Sequence, residues 1–228
     1  MSPVVSLLLL ALAVPMSAAL LAFAAPAVEA HAVALEGKYL VGRILALVAL
    51  VVLLPALIAL AAAVLLSSRG PILFRQRRIG KGGEVFEMLK FRSMRTGATS
   101  GFVPVAGAAP GGVEGTDRRT AVGRFIRRTS LDELPQLWNV VRGDMCLVGP
   151  RPERPEHVER FSDDVPGYAA RHRVRVGLTG LAQVSGSRGA SDIAQRAEMD
   201  NAYIDGWSLG LDLRILGRTV GAVLRGAE

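Results

Sequence analysis

Ile44 to Leu66 is an uncharged apolar run of 23 residues with Pro55 at its centre, and no other stretch constrains the fold as strongly. At ~1.5 Å rise per residue a helix of that length reaches about 35 Å, enough to cross the hydrocarbon core of a bilayer. Proline removes one helix hydrogen bond and clashes with the preceding turn, so a kink is expected in the middle. A kinked helix could cross the bilayer, or bend sharply and leave by the face it entered. Lys38 and Arg43 precede the run, and Arg69, Arg75, Arg77 and Arg78 follow it. Both ends therefore prefer the cytoplasmic side, which favours re-entry with Lys38 and Arg75 on one face.

Charge is unevenly placed along the 228 residues. Residues 1–36 contain no Lys or Arg, whereas 67–228 hold 25 of the 27 basic residues. Within that part, 69–128 carries 13 basic and 4 acidic residues. A basic block beside an apolar span reads as a membrane-facing surface. Nucleic acid is not expected as a partner, because aromatics are few and do not interleave with the basic residues. The single cysteine, Cys146, allows no disulfide framework within one chain and reads as a small buried hydrophobe. His31, His157 and His172 are scattered without metal-ligand spacing. Residues 4–28 form a second apolar stretch, broken by Pro15 and Pro26. It is long enough to cross a bilayer. It also resembles a leader ending near Ala22-Phe-Ala24, although the positive n-region is missing.

From Ser68 the pattern changes. A Gly70-Pro71 turn leads into a short strand. Arg77 to Gly83 reads as a hairpin loop, and Glu84 to Arg92 as the partner strand. Residues 95–116, rich in Gly, Ala, Thr and Pro, read as a long loop or lid. Thr120 to Arg128 reads as a short helix or turn. Ser130-x-x-Glu133 matches a capping box, followed by Leu134, Leu137, Trp138 and Val141 at helical spacing, with Gly143 as the stop. A helix is expected over Asp192–Ile204 with Ser191 as its N-cap. Leu209, Leu213, Leu216, Val220 and Val223 then share one face of a last helix. That face suits either a membrane interface or a protein core.

Asp132 and Glu133 are the candidate chemistry. The plain reading of the pair is acids enriched in a first helical turn. Set among Arg127 and Arg151, however, a carboxylate also has what attack on a phosphate needs: cations that hold the anionic substrate and keep the nucleophile ionised.

These stretches together resemble one family, the monotopic phosphoglycosyl transferases, also called bacterial sugar transferases. The resemblance runs through Gly70-Pro-Ile-Leu-Phe-Arg-Gln76, Lys90-Phe-Arg-Ser-Met94 and Gly123-Arg-Phe-Ile-Arg127. It continues through Ser130-Leu-Asp-Glu-Leu-Pro-Gln-Leu-Trp-Asn139, Leu147-Val-Gly-Pro-Arg-Pro152, Gly177-Leu-Thr-Gly-Leu-Ala-Gln-Val184 and Ser208 to Thr219. It covers roughly 37–228. It implies transfer of a sugar 1-phosphate from a UDP-sugar to polyprenol (undecaprenyl) phosphate, with release of UMP. A phospho-aspartyl intermediate, a Mg²⁺ ion and initiation of a surface glycan (exopolysaccharide, O-antigen or glycoprotein) come with it. The residues that match are Asp132 as nucleophile and Glu133 as the second carboxylate, both near the metal. Arg127 and Arg151 match phosphate holders, with Lys90 as a third cation; Arg92 and Gln183 are weaker candidates.

The fold implied is mixed α/β and mainly helical. It comprises an N-terminal hydrophobic segment (1–36), a kinked re-entrant membrane helix (37–67) and a small cytoplasmic catalytic domain (68–228). That domain has a short β-hairpin and interfacial amphipathic helices, and sits on the cytoplasmic face of the bacterial inner membrane. Membrane lipid is an expected partner, and a homodimer is left open. Two positions depart from the family. Leu54-Pro55 stands where a Ser-Pro pair bends the helix, and Gly42 stands near a place often held by an acid. A non-catalytic, membrane-anchored adaptor that kept the fold is the alternative to an enzyme.

Overall fold

The computed structural model describes residues 32–96, 118–186 and 193–224. The leader-like stretch 4–28, most of the expected lid and Ser191 lie outside them. The chain divides into two compact units, Met1–Val41 and Gly42–Glu228. The described part of the first is the opening of helix α1 (Ala32–Val52).

The apolar run is split into two helices. α1 ends at Val52, α2 spans Leu54–Ser67, and they meet at 66°. The break sits at Leu53 (φ −84, ψ 0), and Pro55 occupies the first turn of α2. Hydrogen bonding continues on both sides, from Leu53 N to Ala49 O and from Leu57 N to Leu53 O, each 2.8 Å. A first helical turn tolerates proline because its N–H would be unpaired there anyway. The bend therefore forms with leucine at position 54 and needs no serine hydroxyl. Among the described residues no single helix is long and apolar enough to cross a membrane; only the bent pair passes by length and composition.

An antiparallel hairpin follows, β1 (Leu73–Ile79) with β2 (Val85–Phe91). β1 takes in the first three residues of the expected loop, since Arg77, Arg78 and Ile79 pair with Glu87, Phe86 and Val85. The loop is correspondingly tighter, with Gly82 and Gly83 at positive φ. The Gly-Pro turn before the hairpin has a packing reason. Gly70 has φ 127, and a Cβ there would collide with Arg92 Nη1. Arg92 is buried and donates Nη2 to Ser68 O (2.6 Å) and Val64 O (3.1 Å). It caps the carbonyl end of α2, so its place is structural.

Helix α3 (Ala121–Arg128) starts at Thr120, whose hydroxyl accepts from Gly123 N at 2.8 Å. After it the expected capping box does not form. Ser130 takes a left-handed φ of 55 and makes no side-chain cap. Leu131–Glu133 is a single 3-10 turn, and α4 (Gln136–Arg142) begins only after Pro135. Proline in an αR conformation suits that start, and Gly143 at φ 95 closes the helix as expected. The remaining elements are β3 (Met145–Val148), α5 (Pro155–Asp164), a 3-10 segment Tyr168–Arg173, β4 (Val176–Thr179), α6 (Leu181–Val184), α7 (Ile193–Asp205) and α8 (Leu209–Leu224). β3 and β4 pair in parallel.

Two apolar clusters place the site. Ala46, Met88, Leu137, Val140, Met145 and Val176 join the end of α1 to β2, α4, β3 and β4. Val64, Phe91 and Ile126 join α2 to β2 and α3. The segment 129–135 runs between α3 and α4, so both of its ends are anchored against β2. The last helix turns its predicted apolar face outward: Leu209, Leu213 and Val220 are exposed, while Asp212 and Ile215 are buried. It does not pack into the core on its leucine stripe. The buried side is selected by Asp212, which accepts from Tyr203 Oη (2.6 Å) and Trp207 Nε1 (3.0 Å).

Candidate active site

The tight 3-10 turn at Leu131–Glu133 points its two acids differently. Asp132 is only 7% exposed, whereas Glu133 reaches a more open position. Glu133 Oε1 accepts from Lys90 Nζ at 2.6 Å and lies 3.9 Å from Arg151 Nη2. Three regions far apart in sequence thus meet at Glu133: the end of β2, the turn after α3, and the strandless segment after β3.

Asn139 fixes the distance between the first two. Its side-chain amide accepts from Leu89 N (3.0 Å) and donates to Glu87 O (2.7 Å), bracketing β2 just before Lys90. It also donates to Asp144 Oδ2 at 2.9 Å. Asn139 is fully buried and every amide hydrogen bond it makes holds α4 to its neighbours. Sequence reasoning placed it in the motif but gave it no role, because an asparagine in a helix carries no signal of the strand it will meet.

Burial pushes the Asp132 carboxyl above its ordinary range. Lys90 opposes this, neighbouring Glu133 adds to it, and Arg127 and the residue's own backbone hydrogen bond pull it back. Arg127, at the end of α3, thus acts on Asp132 through space. Asp132 stands in a three-residue 3-10 turn ahead of the seven-residue α4, not in the first turn of a helix. The cations Lys90 and Arg127 favour its charged form.

Among the described residues no group of three or more metal-ligating side chains occurs. Carboxylate oxygens are the donor type that Mg²⁺ takes, one or two from protein with phosphate oxygens and water completing its shell.

Arg92 and Gln183, the weaker candidates, are not in this group. Arg92 caps α2, and Gln183 donates to Leu178 O at 3.2 Å. The buried residue that sequence reasoning missed is Glu153, directly after Arg151-Pro152. It is 5% exposed and ion-pairs with Arg196 at 2.9 Å, Arg171 at 3.8 Å and Arg78 at 3.9 Å.

The bacterial sugar transferase family model matches residues 33–226. The chain is 48% identical over 174 residues to the UDP-glucose:undecaprenyl-phosphate glucose-1-phosphate transferase of Caulobacter vibrioides, covering 75% of this chain and 63% of the relative. It is 42% identical over 181 residues to the Escherichia coli enzyme of the same name, covering 78% and 38%. To the UDP-N-acetylgalactosamine-undecaprenyl-phosphate N-acetylgalactosaminephosphotransferase of Aeromonas hydrophila it is 39% identical over 183 residues, covering 79% and 42%. The chain therefore spans less than two thirds of the length of each of these relatives. With the family model matching most of its length, the chain belongs to the bacterial sugar transferase family.

Proposed function

We propose that the chain is an enzyme that transfers a sugar 1-phosphate from a UDP-sugar to undecaprenyl phosphate and releases UMP. The observation that carries this is Glu133 held between Lys90 and Arg151 directly beside a buried Asp132. The substrates in the relatives' names suggest the donor and acceptor.

In this reading an Asp132 carboxylate oxygen attacks the sugar-bearing phosphorus of the donor. The P–O bond to the UMP phosphate breaks, UMP leaves, and a sugar phospho-aspartyl acyl phosphate forms. A phosphate oxygen of undecaprenyl phosphate then attacks the same phosphorus. The bond to Asp132 breaks and the carboxylate is restored. Splitting the transfer into two displacements is the logic of covalent catalysis. Lys90, Arg127 and Arg151 face the negative charge that grows on the transferring phosphoryl oxygens. Asp132 and Glu133 would hold Mg²⁺, which when bound neutralises diphosphate charge. Glu133 already engages Lys90, so it also sets the lysine's position for the incoming anion.

In the same reading the chain is attached to a membrane, which its exposed apolar side chains support. Val51, Val52 and Ile58 are exposed around the bend between α1 and α2, and Leu209, Leu213 and Val220 are exposed on α8. Apolar side chains on two elements suit an acyl phase, with the bent pair re-entrant and α8 in the interface. The catalytic unit then lies on the cytoplasmic face, where its product would begin a surface glycan.

The full chain, incubated with undecaprenyl phosphate, Mg²⁺ and a panel of UDP-sugars, is expected to release UMP with at least one donor. No UMP with any donor would leave the membrane-anchored adaptor. A second result concerns Arg151. Arg151→Lys is expected to lower kcat/KM about tenfold or more, because an ammonium cannot make the bidentate contact of a guanidinium with phosphate. Full activity with lysine would show that the position supplies charge alone. For topology, Lys38→Cys and Arg75→Cys in a Cys146→Ser background are expected to be labelled from the same side of the membrane. Labelling from opposite sides would mean a true span.

A further inference from the structure

Arg151 lies in a stretch without regular structure, yet three successive carbonyls there are held. The Arg151 carbonyl accepts from Arg171 Nη2 at 3.1 Å, that of Pro152 from Arg78 Nη1 at 3.0 Å, and that of Glu153 from Ile79 N at 2.9 Å. Two of these three donors are guanidinium groups, and both face the buried Glu153 carboxylate. Arg171 is also paired with Asp200 and donates to Tyr168 Oη at 3.1 Å. Arg196 donates to Glu153 Oε1 at 2.9 Å.

Arg78, Arg171 and Arg196 converge on the Glu153 carboxylate at 3.9, 3.8 and 2.9 Å, and Arg171 is also paired with Asp200. Burial and then Arg151 draw the Arg78 guanidinium down to about 10, with Glu153 acting against them. Arg78 and Arg151 therefore repel each other, and Glu153 and, more weakly, Glu133 oppose that repulsion at Arg78. Four arginines gathered around one buried acid are unusual, since buried charge is costly unless paired.

We infer that Glu153 is a positioning residue for donor binding. Its carboxylate gathers Arg78 and Arg171 so that they hold the backbone of Arg151 and Pro152 and aim Arg151 at the donor diphosphate. The inference rests on the function proposed above. It gives the residue after the Arg151-Pro152 motif a role that touches neither substrate nor metal.

The test is a double-mutant cycle on the full chain in lipid nanodiscs, using Glu153→Gln, Arg151→Ala and both together. The readout is the Kd for UDP, which carries the diphosphate common to every candidate donor. Melting temperature follows folding. Glu153→Gln is expected to weaken UDP binding about tenfold when Arg151 is present and less than about twofold when it is alanine, the coupling seen between residues that act as one unit. Equal losses in both backgrounds, or wild-type affinity in Glu153→Gln, would overturn the inference. If Glu153→Gln does not fold, the same cycle with Arg171→Lys decides, because lysine keeps the charge but loses the fork that reaches the Arg151 carbonyl. UMP release by the wild-type chain is measured in parallel. A chain that binds UDP without releasing UMP overturns the transfer reading, and the coupling still decides the role of Glu153. A chain that neither binds UDP nor releases UMP overturns both, and one that releases UMP without binding UDP overturns the inference alone.

Discussion

Asp132→Asn is expected to abolish UMP release while leaving the protein folded and in the membrane. Loss of a covalent nucleophile should slow turnover roughly a thousandfold or more, about 4 kcal/mol of barrier at ~1.36 kcal/mol per decade. The same variant should be no less stable than the wild type at neutral pH in metal-free buffer. The reason is the direction of the Asp132 shift, which burial drives upward. A carboxyl whose folded-state pKa exceeds its unfolded one stabilises the fold below the unfolded value, and that contribution is lost as pH rises through the folded value. At neutral pH the ionised, desolvated carboxylate therefore works against folding. An amide of the same shape removes that opposition. Retained activity would end the covalent mechanism. A melting temperature well below wild type would show that the carboxylate has a structural task instead.

Gly177→Ala is expected to be strongly destabilising. β4 meets the turn after β3 backbone to backbone. Gly149 N donates to Thr179 O and Gly177 N to Pro150 O, both at 2.8 Å. A Cβ on Gly177 would run into the main chain of Gly149 and Thr179, and one on Gly180 into Gly149 O. Backbone cannot swing aside as a long side chain can, so this overpacking belongs at the upper end of its usual range. A cost of about 3 kcal/mol corresponds to a melting temperature lower by roughly 6–12 °C for a chain of this size. Gly149 and Pro150 immediately precede Arg151, so the affinity for UDP should fall as well. A melting temperature within a degree of wild type would mean that the two segments separate more easily than their packing indicates.

Most of the local architecture was legible in the sequence. The hairpin, α3, the stop at Gly143, α7 and the proline-interrupted apolar run all follow from periodicity and from Gly and Pro, which act within a few residues. Where local signals competed, the structure chose differently. Ser130-x-x-Glu133 has the letters of a capping box, but Ser130 adopts a left-handed φ and Pro135 starts the helix instead. Arg77 and Arg78 look like loop residues, yet they extend β1 because Arg78 has partners at Gln76 and Pro152. The apolar stripe of α8 is a true helical pattern, but a pattern does not say which side faces protein. Buried Asp212, with hydroxyl and indole donors of its own, settled that.

For the candidate site, the sequence by itself offered an inventory: an adjacent pair of carboxylates, with cations at 90, 127 and 151. It could not set their geometry. Lys90 and Glu133 are 43 residues apart, and Arg171 reaches Arg151 across 20. Contacts at such separations depend on how the clusters around Val140 and Ile126 pack, not on neighbouring letters. The burial of Asp132, the clamp on Glu133 and the arginine cluster around Glu153 were therefore decided only by tertiary structure. Desolvation and pairing of charge are properties of surroundings, and surroundings come from the whole chain.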